Sequence, residues 1–261
     1  SEGPNRCTGA SLAGEMREIL ADLVAEQQGL DQFLQSIDYR KWPTATPATG
    51  WDIRDQVSHL ASTEELAFGA IDEGEAVIAA TLKAHASVDA FTAAGVARGR
   101  ELRPGQVIEW WRHARADVVD ALSRMTGSER IPWLAGDMSA RTFATVRLME
   151  TWAHGLDIHA AVESDPVDTT RLRHVAFLAW ATLPFAFSSA DEEYPEPIRI
   201  ELRAPEYQKW VFGPEESENV ITGVAGEWCR VAVRRIDADD TSLDATGEVG
   251  EKALQLVRAY L

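Results

Sequence analysis

The run LMETWAHGLDIH, residues 148–159, places Glu150 and His154 four positions apart. On an α-helix that spacing brings both side chains to one face. A carboxylate oxygen and an imidazole nitrogen are both ligands for a borderline divalent ion, so a single helix offers two ligands at once. A third must come from another element, and His59 in WDIRDQVSHLA is the candidate. Two histidines and one carboxylate, with no fourth protein ligand, describe an open site with room for water or substrate. Such a site suits Zn²⁺ or a similar ion, and catalysis more than a structural role. Spacing by itself leaves plainer readings open. A Glu and a His at i,i+4 also make a surface ion pair, and a histidine beside Leu60 also packs as a core residue.

The residues around this trio divide in the same way. Asp157, three after His154, is placed to accept a hydrogen bond from a ligand imidazole, or to stand as a solvated helix carboxylate. His159, five after His154, lies about 140° further around the helix and cannot share the ion. Arg141 and Arg147, on the same helix, suit bidentate binding of a substrate carboxylate, or pairing with the chain's many acids. Trp133 and Met138, in the loop TGSERIPWLAGDMSA, belong near the mouth of the site as substrate contacts or as packing. Cys229, beside Trp228, reads as a small core residue, and Cys7 as a free thiol in a frayed start of the chain; two cysteines make no disulfide framework. Motifs of the GxSxG, Walker A, GxGxxG and CxxC types are absent, which removes the common hydrolase, nucleotide and zinc-ribbon signatures.

These residues need helices to hold them. Apolar residues recur at helical spacing from Leu12 to Ile37, predicting a long first helix that must end in the proline-rich YRKWPTATPATGW. A second helix starts near Asp52, with Asp52 and Asp55 in its first turn, and carries His59. Residues 72–100 read as Ala-rich helix, interruptible at Gly74 or near Ser87. Pro104 opens a helix over 107–125, and 140–162 forms the helix of Glu150 and His154. Helices in succession without an intervening strand predict an up-down bundle. Beyond it come a helix from Thr169 to about Phe187, strands IRIEL, KWVFG and NVITG, helices over 225–233 and 249–261, and a short strand near Leu243. The fold class is therefore α+β: a short flexible start at 1–10, a helical bundle at 11–165, and a small C-terminal α+β domain at 166–261.

Composition bounds the partners. The 261 residues carry 25 Lys and Arg against 42 Asp and Glu, a formal charge of −17, and so acidic a surface repels phosphate backbones; no nucleic-acid partner is expected. At 45% apolar and 26% charged residues the chain is globular. No 18-residue apolar run and no apolar leader segment occurs, so no membrane partner and a cytoplasmic location are expected.

The blocks GWDIRDQVSHLA, MSARTFATVRLMETWAHGLDIHAAV and ITGVAGEWCRVAVRR resemble those of the metal-binding proteins related to mycothiol-dependent maleylpyruvate isomerase. The resemblance runs over about residues 12–261. It implies a DinB-type four-helix bundle followed by a smaller α+β domain, with a metal held by His59, Glu150 and His154. It further implies a divalent metal, most simply zinc, that activates a low-molecular-weight thiol, mycothiol in actinobacteria, as its thiolate. The thiolate would add to an electrophilic carbon of a small substrate, giving isomerisation, S-transfer or cleavage according to what leaves next. A basic residue of the C-terminal domain is expected over the site, here Arg235 or its neighbour Arg234. Rival readings remain: a metal-assisted hydrolase or lyase using water, a biosynthetic tailoring enzyme, and a non-catalytic small-molecule binding module.

Overall fold

A computed structural model describes residues 9–259. The expected flexible start and Cys7 lie at least in part outside them. The chain divides into two compact units, Ser1–Asp165 and Pro166–Leu261.

In the first unit the long helices are α1 (Gly9–Ser36), α2 (Ile53–Asp72), α5 (Pro104–Ser123) and α6 (Ala140–Ala161), joined by the shorter α3 (Glu75–Ala84) and α4 (Val88–Arg100). The starts of α2, α5 and α6 have local causes. Asp52 caps α2 in a reciprocal box with Asp55, Asp55 N–H donating to Asp52 Oδ1 at 2.9 Å and Asp52 N–H to Asp55 Oδ2 at 3.1 Å. Pro104 sits at the first turn of α5, where its missing N–H costs nothing. Ser139 caps α6 by accepting from Thr142 N–H at 3.2 Å. α2 packs against α5, α6 against both α1 and α2, and α1 against α5, so the four long helices form the bundle. Leu34, Ile53, Val57, Leu60, Val107, Trp111 and Ile158 meet in its core with Trp42 from the loop before α2. α6 is buried on nearly every side, by Phe143, Leu148, Met149 and Ile158 and equally by Thr145, Arg147, Thr151 and Asp157.

A partly buried polar tie joins α1 to α5. Asp31 of α1 accepts from Arg112 Nε and Nη2 at 2.8 and 2.7 Å and from Arg115 Nη2 at 2.7 Å, both on α5. The Arg112 hydrogen bonds, joined by the charge of Arg115, hold the Asp31 carboxyl down to about 2.

The second unit contains α7 (Leu172–Ala181), α8 (Leu183–Ser189), β3 (Arg199–Arg203), β4 (Lys209–Phe212), β5 (Val220–Val224), α9 (Ala225–Ala232), β6 (Asp244–Thr246) and α10 (Glu248–Leu256). The sheet order is β4-β3-β5-β6, with β3 and β5 parallel and the outer pairs antiparallel. Alternation along the strands buries Ile200, Leu202, Trp210 and Ile221. Cys229 is buried on α9 with Sγ 3.7 Å from Leu172 O, and burial pushes its thiol far up, which makes it an inert core residue.

The helical 72–100 stretch is interrupted at both expected points: Gly74, at φ +69°, separates α2 from α3, and Ser87 caps α4 after α3 ends. Three expectations are corrected. The segment between α5 and α6 is not strand-free: β1 (Arg130–Ile131) and β2 (Met138–Ser139) pair antiparallel, Arg130 bridging Asp137 at 2.7 Å. The helix expected from Thr169 to Phe187 breaks at Thr182, ahead of Pro184, because proline fits only the first turn of a new helix. α10 ends at Leu256, where Val257 turns extended at ψ 133°.

α4 approaches α2 through Gly95 and Gly99, whose missing side chains face Ser62 and Ser58. A methyl group at Gly99 would overlap the fixed Cβ of Ser58, which no rotamer change relieves. Gly29 on α1 is exposed with open space around it. Gly99→Ala should therefore destabilise the protein by roughly 1–3 kcal/mol, and Gly29→Ala should stabilise it by about 0.5–1 kcal/mol. Paired thermal or urea unfolding checks both; equal effects would refute the close α2–α4 approach.

Candidate metal centre

His59 lies on α2 seven residues in from its capped start, and Glu150 and His154 lie one turn apart on α6. Because α2 and α6 pack together, the three side chains converge: one ligand atom from each lies within 4.8 Å of the other two, and all three residues are half-buried. Donors about 2.1 Å from a tetrahedral ion stand roughly 3.4 Å apart, so small side-chain rotations close the set. The rings of His59 and His154 are 4.6 Å apart between centroids, and Trp51 lies against both at 5.1 and 6.2 Å.

His154 is oriented from behind. Gln56 donates from Nε2 to Thr46 Oγ1 at 2.9 Å, and Thr46 donates to the Trp51 carbonyl, also at 2.9 Å. That leaves Gln56 Oε1 to accept from His154 Nδ1–H at 2.7 Å. His154 Nε2 then faces Glu150 Oε2 at 3.2 Å. With Nδ1 carrying a proton, the neutral ring sets a lone pair beside a carboxylate oxygen, an arrangement that a cation relieves. Burial alone would raise Glu150, but when His154 also carries a proton on Nε2 its hydrogen bond and charge, with the charges of Arg147 and His59, outweigh burial and hold the carboxyl at about 2. The donor set thus fits a divalent ion: an ionised carboxylate, an imidazole with a fixed tautomer, and a second imidazole across from them.

The surrounding residues fall into place differently from one another. Asp157 is buried, 3.9 Å from His154 Nδ1; the hydrogen bond expected of it is made by Gln56 instead. Arg147 is buried on α6 with Nη1 3.6 Å from Glu64 Oε1, and its guanidinium lies over Trp133 at 5.0 Å, so no exposed fork remains for a substrate carboxylate. Arg141 pairs at the surface with Glu15 at 2.6 Å. Met138 and Trp133 are half-buried on the β1–β2 hairpin, Trp133 edge-on to Phe143 at 5.3 Å. His159 stacks on Phe33 at 3.8 Å and contacts Ser164 Oγ through Nδ1, which explains its separation from the trio: it joins α6 to α1. In the second unit Arg234 is exposed at φ +60°, and Arg235 is half-buried with Nη1 donating to Val233 O at 2.8 Å.

Comparison with known proteins bears on what such a site is for. Residues 23–159, just over half the chain, match the family described as "Mycothiol maleylpyruvate isomerase N-terminal domain". The chain belongs to this family. An uncharacterized protein from two strains of Mycobacterium tuberculosis is 31% identical over 242 residues, 92% of this chain and 94% of that one. Among solved structures, the mycothiol-dependent maleylpyruvate isomerase superposes with a TM-score of 0.59 at 17% identity, covering 90% of this chain and 93% of that chain. A histidine-to-alanine mutant of that enzyme gives 0.60 at 18%. At these identities the structural likeness establishes the fold. His59, Glu150 and His154 all fall inside the family match.

Two residues behind the trio escaped the sequence reading. Gln56 precedes His59 by three on the same helix, a spacing that would have suggested it. Glu64 sits seven after Val57 and four after Leu60, on the stripe that faces the core, and a carboxylate there is itself a signal of buried charge. Burial pushes Glu64 up to about 7 against the pull of Arg147, with Glu150 raising it further.

Burial also lowers His159 below the ordinary imidazole value. An imidazole depressed in the folded state takes up protons more readily when unfolded, so stability falls as pH drops below about 6.5. NMR titration should place the His159 midpoint under that value, and His159→Phe should flatten this part of the stability profile. A midpoint at or above the ordinary value would contradict the stacked, desolvated ring.

Proposed function

We propose that this chain is a metal-dependent enzyme that uses a low-molecular-weight thiol, mycothiol by family, to act on a small electrophilic substrate. The observation that carries the reading is the convergence of His59, Glu150 and His154 from two helices, with His154 turned by Gln56 so that Nε2 faces Glu150. Family membership and the words "mycothiol-dependent" on the structural relatives support the thiol.

A bound divalent ion, zinc by donor chemistry, would lower the pKa of a thiol so that it reacts as thiolate at neutral pH. The protein's own groups do the rest. Glu150 and the two imidazoles would hold the ion, the carboxylate offsetting part of its charge. Gln56, and Asp157 at charge distance, fix the His154 ring, and Trp51 shields one flank from water. Trp133 and Met138 are the proposed substrate contacts of the first unit. Arg235, with Arg234 as the alternative, is the proposed cation of the second unit that steadies negative charge developing on the substrate. Addition of sulfur to an electrophilic carbon forms a C–S bond, and loss of the same sulfur after bond rotation completes an isomerisation; departure of another group makes the reaction an S-transfer.

Elemental mass spectrometry of protein purified without chelating resin should find about one equivalent of zinc or another divalent ion. His59→Ala and Glu150→Ala should lose it, and Gln56→Leu, which keeps every ligand, should weaken affinity by about 10- to 100-fold. Turnover of an electrophilic test substrate should then require the thiol. No metal in the wild type, even after incubation with zinc, would sink the proposal; turnover without thiol would replace it with water-based chemistry.

A further inference from the structure

Behind the proposed ligands the bundle buries a second set of charges that the metal reading leaves unused. Arg147 precedes Glu150 by three residues on α6, one turn away on the same face. Its side chain is 3% exposed, and the Glu64 side chain that it faces is fully buried. Their 3.6 Å separation is too long for a hydrogen bond, and Glu64 Oε1 and Oε2 and Arg147 Nε and Nη1 have no hydrogen-bond partner among the described residues. The guanidinium is held instead by rings, 5.0 Å from the centroid of Trp133 and 5.6 Å from that of Phe143. The other guanidinium acting on Glu64, that of Arg115, is already bound to Asp31 at 2.7 Å.

A buried pair with so few hydrogen bonds is a poor source of stability. Charge balance supplies a better reason for it. A guanidinium fixed one turn from Glu150 opposes any dication that Glu150 would hold, and at this depth the repulsion is only weakly screened. A carboxylate on the far side of the guanidinium cancels that opposition.

We propose that Glu64 is a positioning residue that offsets the charge of Arg147, so that the two together set how tightly His59, Glu150 and His154 hold a divalent ion. The inference rests on the metal reading above. Glu64 and Arg147 act with opposite sign: the carboxylate favours the ion and the guanidinium disfavours it. Arg147 is retained because it also anchors Trp133, and Glu64 because Arg147 is there.

The test measures the dissociation constant of Zn²⁺ by chelator competition on the full chain at about pH 8, above the value of about 7 for Glu64. The variants are Glu64→Gln, Arg147→Met, Arg147→Lys and the double Glu64→Gln/Arg147→Met. Glu64→Gln should weaken binding about tenfold or more, Arg147→Met should tighten it several-fold, and Arg147→Lys should stay near wild type. The double variant removes both charges, avoids leaving either one buried alone, and should return to within about threefold of wild type. It keeps the test decisive if a single variant does not fold, because a double variant far from wild type in affinity overturns the balance. Single variants that bind like wild type, or that shift in the same direction, overturn it too. A wild type that binds no zinc removes the metal reading itself, an outcome distinct from normal binding with unresponsive variants.

Discussion

His154 gives one ring proton to Gln56 across 2.7 Å, and the chemistry open to the site depends on which nitrogen that leaves. The bond belongs to a short relay: the Trp51 carbonyl accepts from Thr46, Thr46 accepts from the Gln56 amide, and the other end of that amide takes the imidazole proton. Each member is spoken for, so the amide cannot flip without losing two bonds, and Nε2 is kept toward Glu150. The loop before α2 and the capping box at Asp52 thereby have a role beyond ending one helix and starting another. They place Thr46 and Trp51 where the relay requires them.

The second constraint is the cost of charge inside a bundle. α6 is covered on almost every side, and its polar residues must find partners within the fold. Arg147 meets Glu64 and two aromatic rings, and Glu150 meets His154. On the α1–α5 side Asp31 gathers two arginines by direct hydrogen bonds, a fully satisfied arrangement, whereas the Glu64–Arg147 pair lacks them. The contrast separates charge that ties helices together from charge whose effect is felt at a neighbouring site.

Family membership and site geometry carry different parts of the functional reading. The family match spans the helices that bear the trio and ends at His159, so it concerns the scaffold and the three converging side chains. What becomes of a thiol adduct depends on the groups around the substrate, and those are the residues in which members of one fold differ most freely. By proposal these are Trp133 on its hairpin and Arg235.

Much of the helical frame was legible because its causes are local. Prolines, caps and three-to-four-residue apolar spacing mark α1, α2, α5 and α6, and the i,i+4 step alone puts Glu150 beside His154. Residue type and spacing also singled out His59, although nothing local says how near it comes to α6. What the tertiary structure decided are the partners. Gln56 and His154 are 98 residues apart in the chain, and Glu64 and Arg147 are nearly as remote, so no short window of sequence contains either pair. The roles of Arg147 and Asp157 turned on the same fact: a charged side chain's partner is whichever group the packing of α2 on α6 brings within a few ångströms. Helical periodicity tells which way a residue points. Only the closed bundle determines what it meets there, because burial and Coulomb interaction depend on distance through space.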